Sequence, residues 1–410
     1  SGIGFIGYSL IAIAISFQLG TDLFILLLAG ALIPLTFLST VINGISLSYK
    51  PQNISYGLVV FESVKVPIGF LLVVFMDLGI VGAILTSIAA SGVRLIFLII
   101  LSREKLLGVF KKHVLKLWLK LSWLSIFISL PGMLISLDVL LVSFFTNSLL
   151  ILAFWGSAHA ISGRLAASES LTQGLYPKLL SSPQKEIATL NLKRTLYFAI
   201  PFLGLVIVFA KPLLHILNPI YADAYLILII LSIKAIVALV MNIFFNIIGA
   251  YENIDKDSNA TFREYVQSKL FFIPTLKLIL TGAYLSSLSV FLFLYSIEYT
   301  EIEAATIWAL IFAIIHIPFL FYGYIIIKNQ HQIAFPFVSV GKYIGATLVS
   351  STVVYFLILN YLTYSQSIWD FIPQFFPILI LGGTIYFGIT FLVDKNSREL
   401  FYLIFKEFKR

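Results

Sequence analysis

The sequence predicts an all-α, polytopic membrane protein, and three observations carry that prediction. Of 410 residues, 60% are hydrophobic and only 11% are charged, against about 25% charged in a soluble domain. Apolar runs of about 20 residues, the length a helix needs to cross a hydrocarbon core, recur along the whole chain. The short apolar/polar alternation of a membrane β-barrel is missing.

The breaks between runs give twelve spans, at residues 3 to 19, 23 to 47, 57 to 76, 79 to 101, 117 to 141, 150 to 175, 195 to 217, 224 to 250, 270 to 296, 304 to 327, 343 to 362 and 371 to 393. The distribution of charge tests this parse, because loops on the cytoplasmic side retain Lys and Arg. Twenty of the 27 basic residues fall on the connections after the even-numbered spans. The remaining connections hold none and carry Asp22, Asp77, Asp223, Glu298, Glu301, Glu303 and Asp370 instead. An error of one span would scramble this segregation. The expected topology therefore has both chain ends cytoplasmic, in the cell membrane.

Composition also limits the function classes. The net charge of +8 follows from the sorted loops and suits an anionic inner leaflet, so no nucleic-acid partner is expected. Cysteine is absent, which removes disulfide frameworks and thiolate metal sites. The five histidines, His113, His159, His215, His316 and His331, have no metal-ligand spacing, and neither a phosphate-binding Gly-rich loop nor a nucleophile elbow is present. The outward connections are too short for a catalytic domain. No enzyme activity, resident cofactor or metal is expected; a coupling ion, H+ or Na+, stays open.

The informative residues are charges inside spans. Seven cations lie there: Lys65, Arg94, Lys120, Arg164, Lys211, Lys234 and Lys277. Lys120 and Lys211 are close enough to span ends to snorkel. Lys65, Arg94, Arg164 and Lys234 are deeper, where a charge costs about 2.5 to 3.5 kcal/mol unless it faces a partner or water. Deep carboxylates are fewer: Glu62, Asp138 and Glu169. Glu62 and Lys65, three apart on one helix, are placed to pair. Arg164 and Glu169, five apart, point roughly 140° from one another and are not. The sixth span combines His159, Arg164, Glu169 and Gln173 with Ala158, Ala160, Ser162, Gly163, Ala166, Ala167 and Ser168. Small residues let helices approach closely, and long polar ones need water or protein around them. This helix is therefore expected to line a cavity. Basic excess at depth makes the cavity suited to an anion such as a phosphate; an interhelical ion-pair network is the competing reading. Among the prolines inside spans, Pro131, in "LPGML" just before Asp138, is the best hinge candidate.

The stretch "LPGMLISLDVLLVSFFTNSLLILAFWGSAHAISGRLAASESLTQGLYPKLL" resembles the seventh and eighth helices of polysaccharide flippases in the multidrug/oligosaccharidyl-lipid/polysaccharide exporter superfamily. "PFLGLVIVFAKPLLHILNPIYADAYLILIILS" is similar to the pair that follows. Asp138, Pro177, Tyr221 and Ala224 occupy the matching positions, while Asn218 and Pro219 stand where the family usually has Gly. The resemblance implies two pseudo-symmetric bundles around a central cavity. It divides the chain into an N-lobe at 1–101, a basic cytoplasmic linker at 102–116, a C-lobe at 117–328, and an additional helix pair with a basic tail at 329–410. Four spans before the linker and eight after it fit a fourteen-helix member whose first two helices are absent from this chain. The implied function is translocation of a lipid-linked oligosaccharide, on an anionic polyprenyl diphosphate, from the inner to the outer leaflet by alternating access, by a monomer whose partners are this substrate and the membrane lipids. Lys65, Arg94, Arg164 and Lys234 are the candidate headgroup ligands; Asp138, Glu169 and His159 are candidates for ion coupling or gating. A multidrug exporter of the same superfamily would want acidic groups for cationic drugs. A membrane glycosyltransferase or ligase would need sizeable catalytic loops, and a structural scaffold would pair its deep charges.

Overall fold

The computed structural model describes residues 2–19, 22–106, 111–165, 179, 184–252, 254, 261–294, 299–365 and 368–408. The described residues are helical with turns between, and ten of the helices are long and apolar enough to cross a membrane. Two shorter apolar helices, Gly4–Ile13 and Leu149–Leu165, occupy the first and sixth spans. All twelve expected spans thus have a helix, and the chain is a multi-pass membrane protein. Phe17, Phe75, Leu149 and Phe293 are among many large apolar side chains on the outside. Hydrocarbon is the solvent in which that surface is stable.

The chain forms two compact units, Ser1–Leu115 and Lys116–Arg410. The first unit holds α1 (Gly2–Leu19), α2 (Leu23–Gly30), α3 (Leu32–Tyr49), α4 (Gln52–Gly69) and α5 (Gly79–Leu106). Asp22 caps α2 by accepting from the Phe24 N–H at 2.9 Å. Pro67 lies near the end of α4 and has no N–H to donate. Directly beyond it the backbone widens into π-helix over Phe70–Phe75. The return is tight: Asp77 and Gly79 both take left-handed conformations, φ 51° and 52°. Gly82 then lies so close to the Leu72 carbonyl that an added Cβ would meet its oxygen at 2.9 Å. Both α3 and α4 pack on α5, with Ile42, Leu95 and Leu98 buried and Ser46 hydrogen-bonded to Ser102 at 3.2 Å.

The second unit begins in the first turns of α6 (Lys112–Ile135) and continues through α7 (Leu137–Thr146), α8 (Leu149–Ser162), α9 (Lys185–Val208), α10 (Ala210–Leu217), a 3-10 segment (Pro219–Ala224) and α11 (Tyr225–Ala250). It ends with α12 (Phe262–Gln267), α13 (Lys269–Phe293), α14 (Glu301–Asn329), α15 (Phe337–Tyr361), α16 (Ile368–Val393) and α17 (Lys395–Phe408). Helix α11 is central: it packs on α14, α8 and α9. The α15–α16 pair stacks on the outside of α9. A Cβ on Gly204 of α9 would overlap Thr347 Cγ2 of α15, so the crossing depends on glycine.

Elements differ from the expected spans where hydropathy is silent. Helix α9 starts at Lys185, ten residues before the apolar run, because a helix need not stop at the hydrocarbon boundary. It breaks at Phe209 before α10. The fifth span is interrupted at Ser136, five residues after Pro131, which separates α6 from α7. Asn147, left-handed at φ 49°, closes α7. The Ser148 hydroxyl then accepts from the Ile151 N–H at 3.4 Å to start α8. Thr261 with Glu264 and Thr300 with Glu303 form capping boxes at α12 and α14.

Candidate functional site

The polar centre of the second unit is built where α7, α8, α11, α13 and α14 approach one another. Because α6 and α7 are separate helices, Asp138 stands in the first turn of α7, where N–H groups lack helical acceptors and a negative charge is favoured. Its Oδ1 accepts from the Val139 N–H at 2.7 Å. Its Oδ2 accepts from the Tyr284 hydroxyl of α13 at 2.7 Å. That hydroxyl in turn accepts from the Trp308 indole N–H of α14 at 2.7 Å. Asp138, Tyr284 and Trp308 are all buried, at 4%, 0% and 1% exposure. A carboxylate in an apolar bundle is thus held by neutral donors arranged in series.

Trp308 is itself clamped by Trp155 of α8, the two rings stacking at 3.7 Å and 4°. Trp155 also lies parallel to His159 one turn on, at 6.0 Å. Phe312, one turn beyond Trp308, contacts Tyr284 at 4.5 Å between ring centroids and carries on its face the Lys234 ammonium, 3.7 Å from the centroid. Such a contact is worth about 2 kcal/mol when desolvated, less than the cost of placing the charge there. No carboxylate among the described residues lies within ion-pair distance of Lys234. His316 is buried and bonds back to the Phe312 carbonyl at 2.7 Å.

Beside Lys234 is a cavity of about 260 Å³. On α11 its wall is formed by Lys234, Ala235, Ala238 and Asn242, and on the other side by His159 and Ser162 of α8 and by Gly163, which caps it. The spacing of 234, 235, 238 and 242 puts these residues on one helical face. Ala235, Ala238 and Gly163 are too small to fill the space between the helices, so the void follows from sequence. The expectation that the sixth span lines a cavity holds through Gly163; Glu169, Gln173 and Pro177 lie outside the described residues.

Of the four candidate headgroup cations, Lys234 lines this cavity together with His159. Arg164 is exposed in the short 3-10 turn that extends α8, next to cavity-lining Gly163. Lys65 and Arg94 belong to the first unit. Lys65 is half-buried with its ammonium 5.4 Å from the Phe61 ring centroid. Arg94 is half-buried on α5, and its Nε is buried with no hydrogen-bond partner among the described residues. The chain is similar to one solved structure, the lipid II flippase MurJ in its inward closed conformation, at a TM-score of 0.48 and 15% identity over 97% of this chain and 83% of that one. No family model and no curated protein matches.

Sequence reasoning found Asp138, Lys234 and His159 but missed Tyr284 and Trp308. A signal was present: Tyr284 falls mid-way along its span and Trp308 seven residues into α14, away from the interfacial belts where such residues usually sit. A deep hydroxyl or indole N–H requires a partner. No group of three or more potential metal ligands occurs among the described residues.

Proposed function

We propose that this protein is a flippase for a lipid-linked oligosaccharide, carrying the anionic polyprenyl diphosphate headgroup from the cytoplasmic to the outer leaflet of the cell membrane by alternating access. The single observation supporting this reading is Lys234: a cation within the membrane, resting on an aromatic face, lining a cavity and paired with no carboxylate among the described residues. A diphosphate oxygen entering the cavity supplies Lys234 with the direct ion-pair partner that Asp138, near it but outside ion-pair distance, does not. His159, Ser162 and Asn242 add hydrogen-bonding groups around it. Arg164, Lys65 and Arg94 are proposed as further headgroup ligands.

Asp138 and His159 are proposed to couple transport to H+ or Na+, or to gate it, through the break at Ser136 that separates α7 from α6. Glu169 is assigned the same role from its sequence position. The segregated loops support an orientation with both ends cytoplasmic, and the resemblance of the seventh to tenth helices to polysaccharide flippases supports the substrate class.

The test is genetic. Cells lacking the gene are expected to accumulate the lipid-linked glycan on the inner leaflet and to lose surface glycan, with rescue by the wild-type gene and none by Lys234→Gln. Normal surface glycan with lost drug resistance would replace this reading with a multidrug exporter.

A further inference from the structure

A second polar cluster lies at the opposite kind of location, the end of the spans. Four of its residues mark one depth. Lys193 and Arg194 immediately precede the apolar run that begins at residue 195, Lys342 precedes the one that begins at 343, and Asp394 follows the last residue of α16, Val393. This is the level at which three helices leave hydrocarbon on the basic side of the protein. There α9, α15 and the start of amphipathic α17 enclose a pocket of about 70 Å³, lined by Lys193, Arg194, Tyr197, Tyr343, Ser397 and Glu399. At about 10 to 15 Å³ for one water on the same measure, the pocket has room for a phosphate group.

The charges in it are not used up by the fold. The nearby buried carboxylate, Asp394, is engaged elsewhere: it pairs with Lys342 at 3.5 Å, accepts from the Tyr343 hydroxyl at 3.2 Å, and accepts from the N–H and hydroxyl of Ser397 at 3.2 and 3.1 Å. Neither Lys193 nor Arg194 pairs with a carboxylate among the described residues. Glu399, on the exposed side of the pocket, offsets one of the two charges and leaves the lining cationic.

We propose that this pocket binds the phosphate of an anionic phospholipid of the surrounding leaflet. Basic pockets between membrane helices at headgroup depth take such lipids, each cation there contributing about 1 kcal/mol. The bound lipid bridges α9 to α17 and so fastens the α15–α16 pair to the rest of the unit. This inference rests on the membrane reading alone and is independent of what the protein transports.

Native mass spectrometry of the purified full chain tests it, with phosphatidylglycerol and phosphatidylcholine as probes. Phosphatidylglycerol is expected to bind in preference. Lys193→Gln is expected to weaken it about fivefold and Lys193→Gln with Arg194→Gln about thirtyfold. Lys193→Arg keeps binding, which separates charge loss from misfolding, and Arg103→Gln with Lys105→Gln in the first unit leaves it unchanged. Unaltered phosphatidylglycerol binding in the double variant overturns the site. Displacement of the lipid by inorganic phosphate at equal concentration overturns the lipid assignment in favour of a free anion.

Discussion

Asp138 and Asp394 pose the same physical problem and are solved differently. Each is a buried carboxylate at the start of a helix, α7 and α17 respectively, and each accepts a hydrogen bond from a tyrosine, Tyr284 or Tyr343. At the membrane edge Asp394 also has a cation, Lys342, at 3.5 Å, and a conventional cap onto Ser397. In mid-bundle the neighbouring cation, Lys234, is instead kept on Phe312, and Asp138 is satisfied by Tyr284 backed by Trp308. At the membrane edge the Asp394–Lys342 pair is used by the fold. The mid-bundle cluster leaves a positive charge available to something that is not the fold.

Stability measurements in micelles can break this contrast. The largest effect is expected for Tyr284→Phe, which removes a donor from Asp138 and the acceptor of Trp308 at once. Losses of about 1 to 3 kcal/mol for each unsatisfied group give about 2 to 6 kcal/mol, against about 1 kcal/mol for Tyr343→Phe, since Asp394 keeps Lys342 and Ser397. Equal losses would mean that the two carboxylates are held alike.

Next in size, Gly204→Leu should cost about 1 to 3 kcal/mol by overpacking and loosen the membrane-edge cluster, whose Tyr197 and Tyr343 lie on the two helices that cross there, while leaving the fluorescence of stacked Trp155 and Trp308 unchanged. The lysines themselves give a sharper comparison. Lys342→Met should destabilise by about 1 to 2 kcal/mol because a buried carboxylate loses its cation, whereas Lys234→Met should leave stability level or raised. A greater loss for Lys234→Met would show that Lys234 is a structural charge after all.

The smallest effect belongs to a third acidic cap, Glu264, which is fully exposed. The N–H and hydroxyl of Thr261 hold its carboxyl below the ordinary 4.5. A lowered folded value means that the cap stabilises above that pH and is lost as pH falls through the folded value. Thr261→Ala should therefore flatten the acid limb of the melting-temperature profile slightly and leave the neutral limb parallel to that of the wild type.

These elements also show what the sequence could reveal. Span number was legible because hydrocarbon thickness fixes a length and the leaflet charge sorts Lys and Arg, both of which act on local composition. Asp138 and Lys234 were legible because a charge in lipid is anomalous wherever it points. Their partners were not: whether Lys234 meets Asp138 or Phe312 depends on how α11 is rotated against α7 and α14, and no local pattern encodes that. The wall of the cavity was half legible, since Gly163 stood out in a small-residue helix while Ala235 and Ala238 were concealed in an ordinary apolar run. The break at Ser136 was signalled by Pro131, though displaced toward the C-terminus.

Translocation by the reconstituted protein tests the central claim most directly, that the withheld charge of Lys234 recognises the anionic headgroup. Proteoliposomes carrying a fluorescent glycan on polyprenyl diphosphate are treated with a membrane-impermeant quencher, and the rate of leaflet exchange is compared between wild type, Lys234→Arg and Lys234→Gln. A charge-assisted contact worth about 1.5 to 3 kcal/mol predicts exchange slowed about 10- to 100-fold in Lys234→Gln and largely restored in Lys234→Arg. Exchange at the wild-type rate in Lys234→Gln would contradict the account.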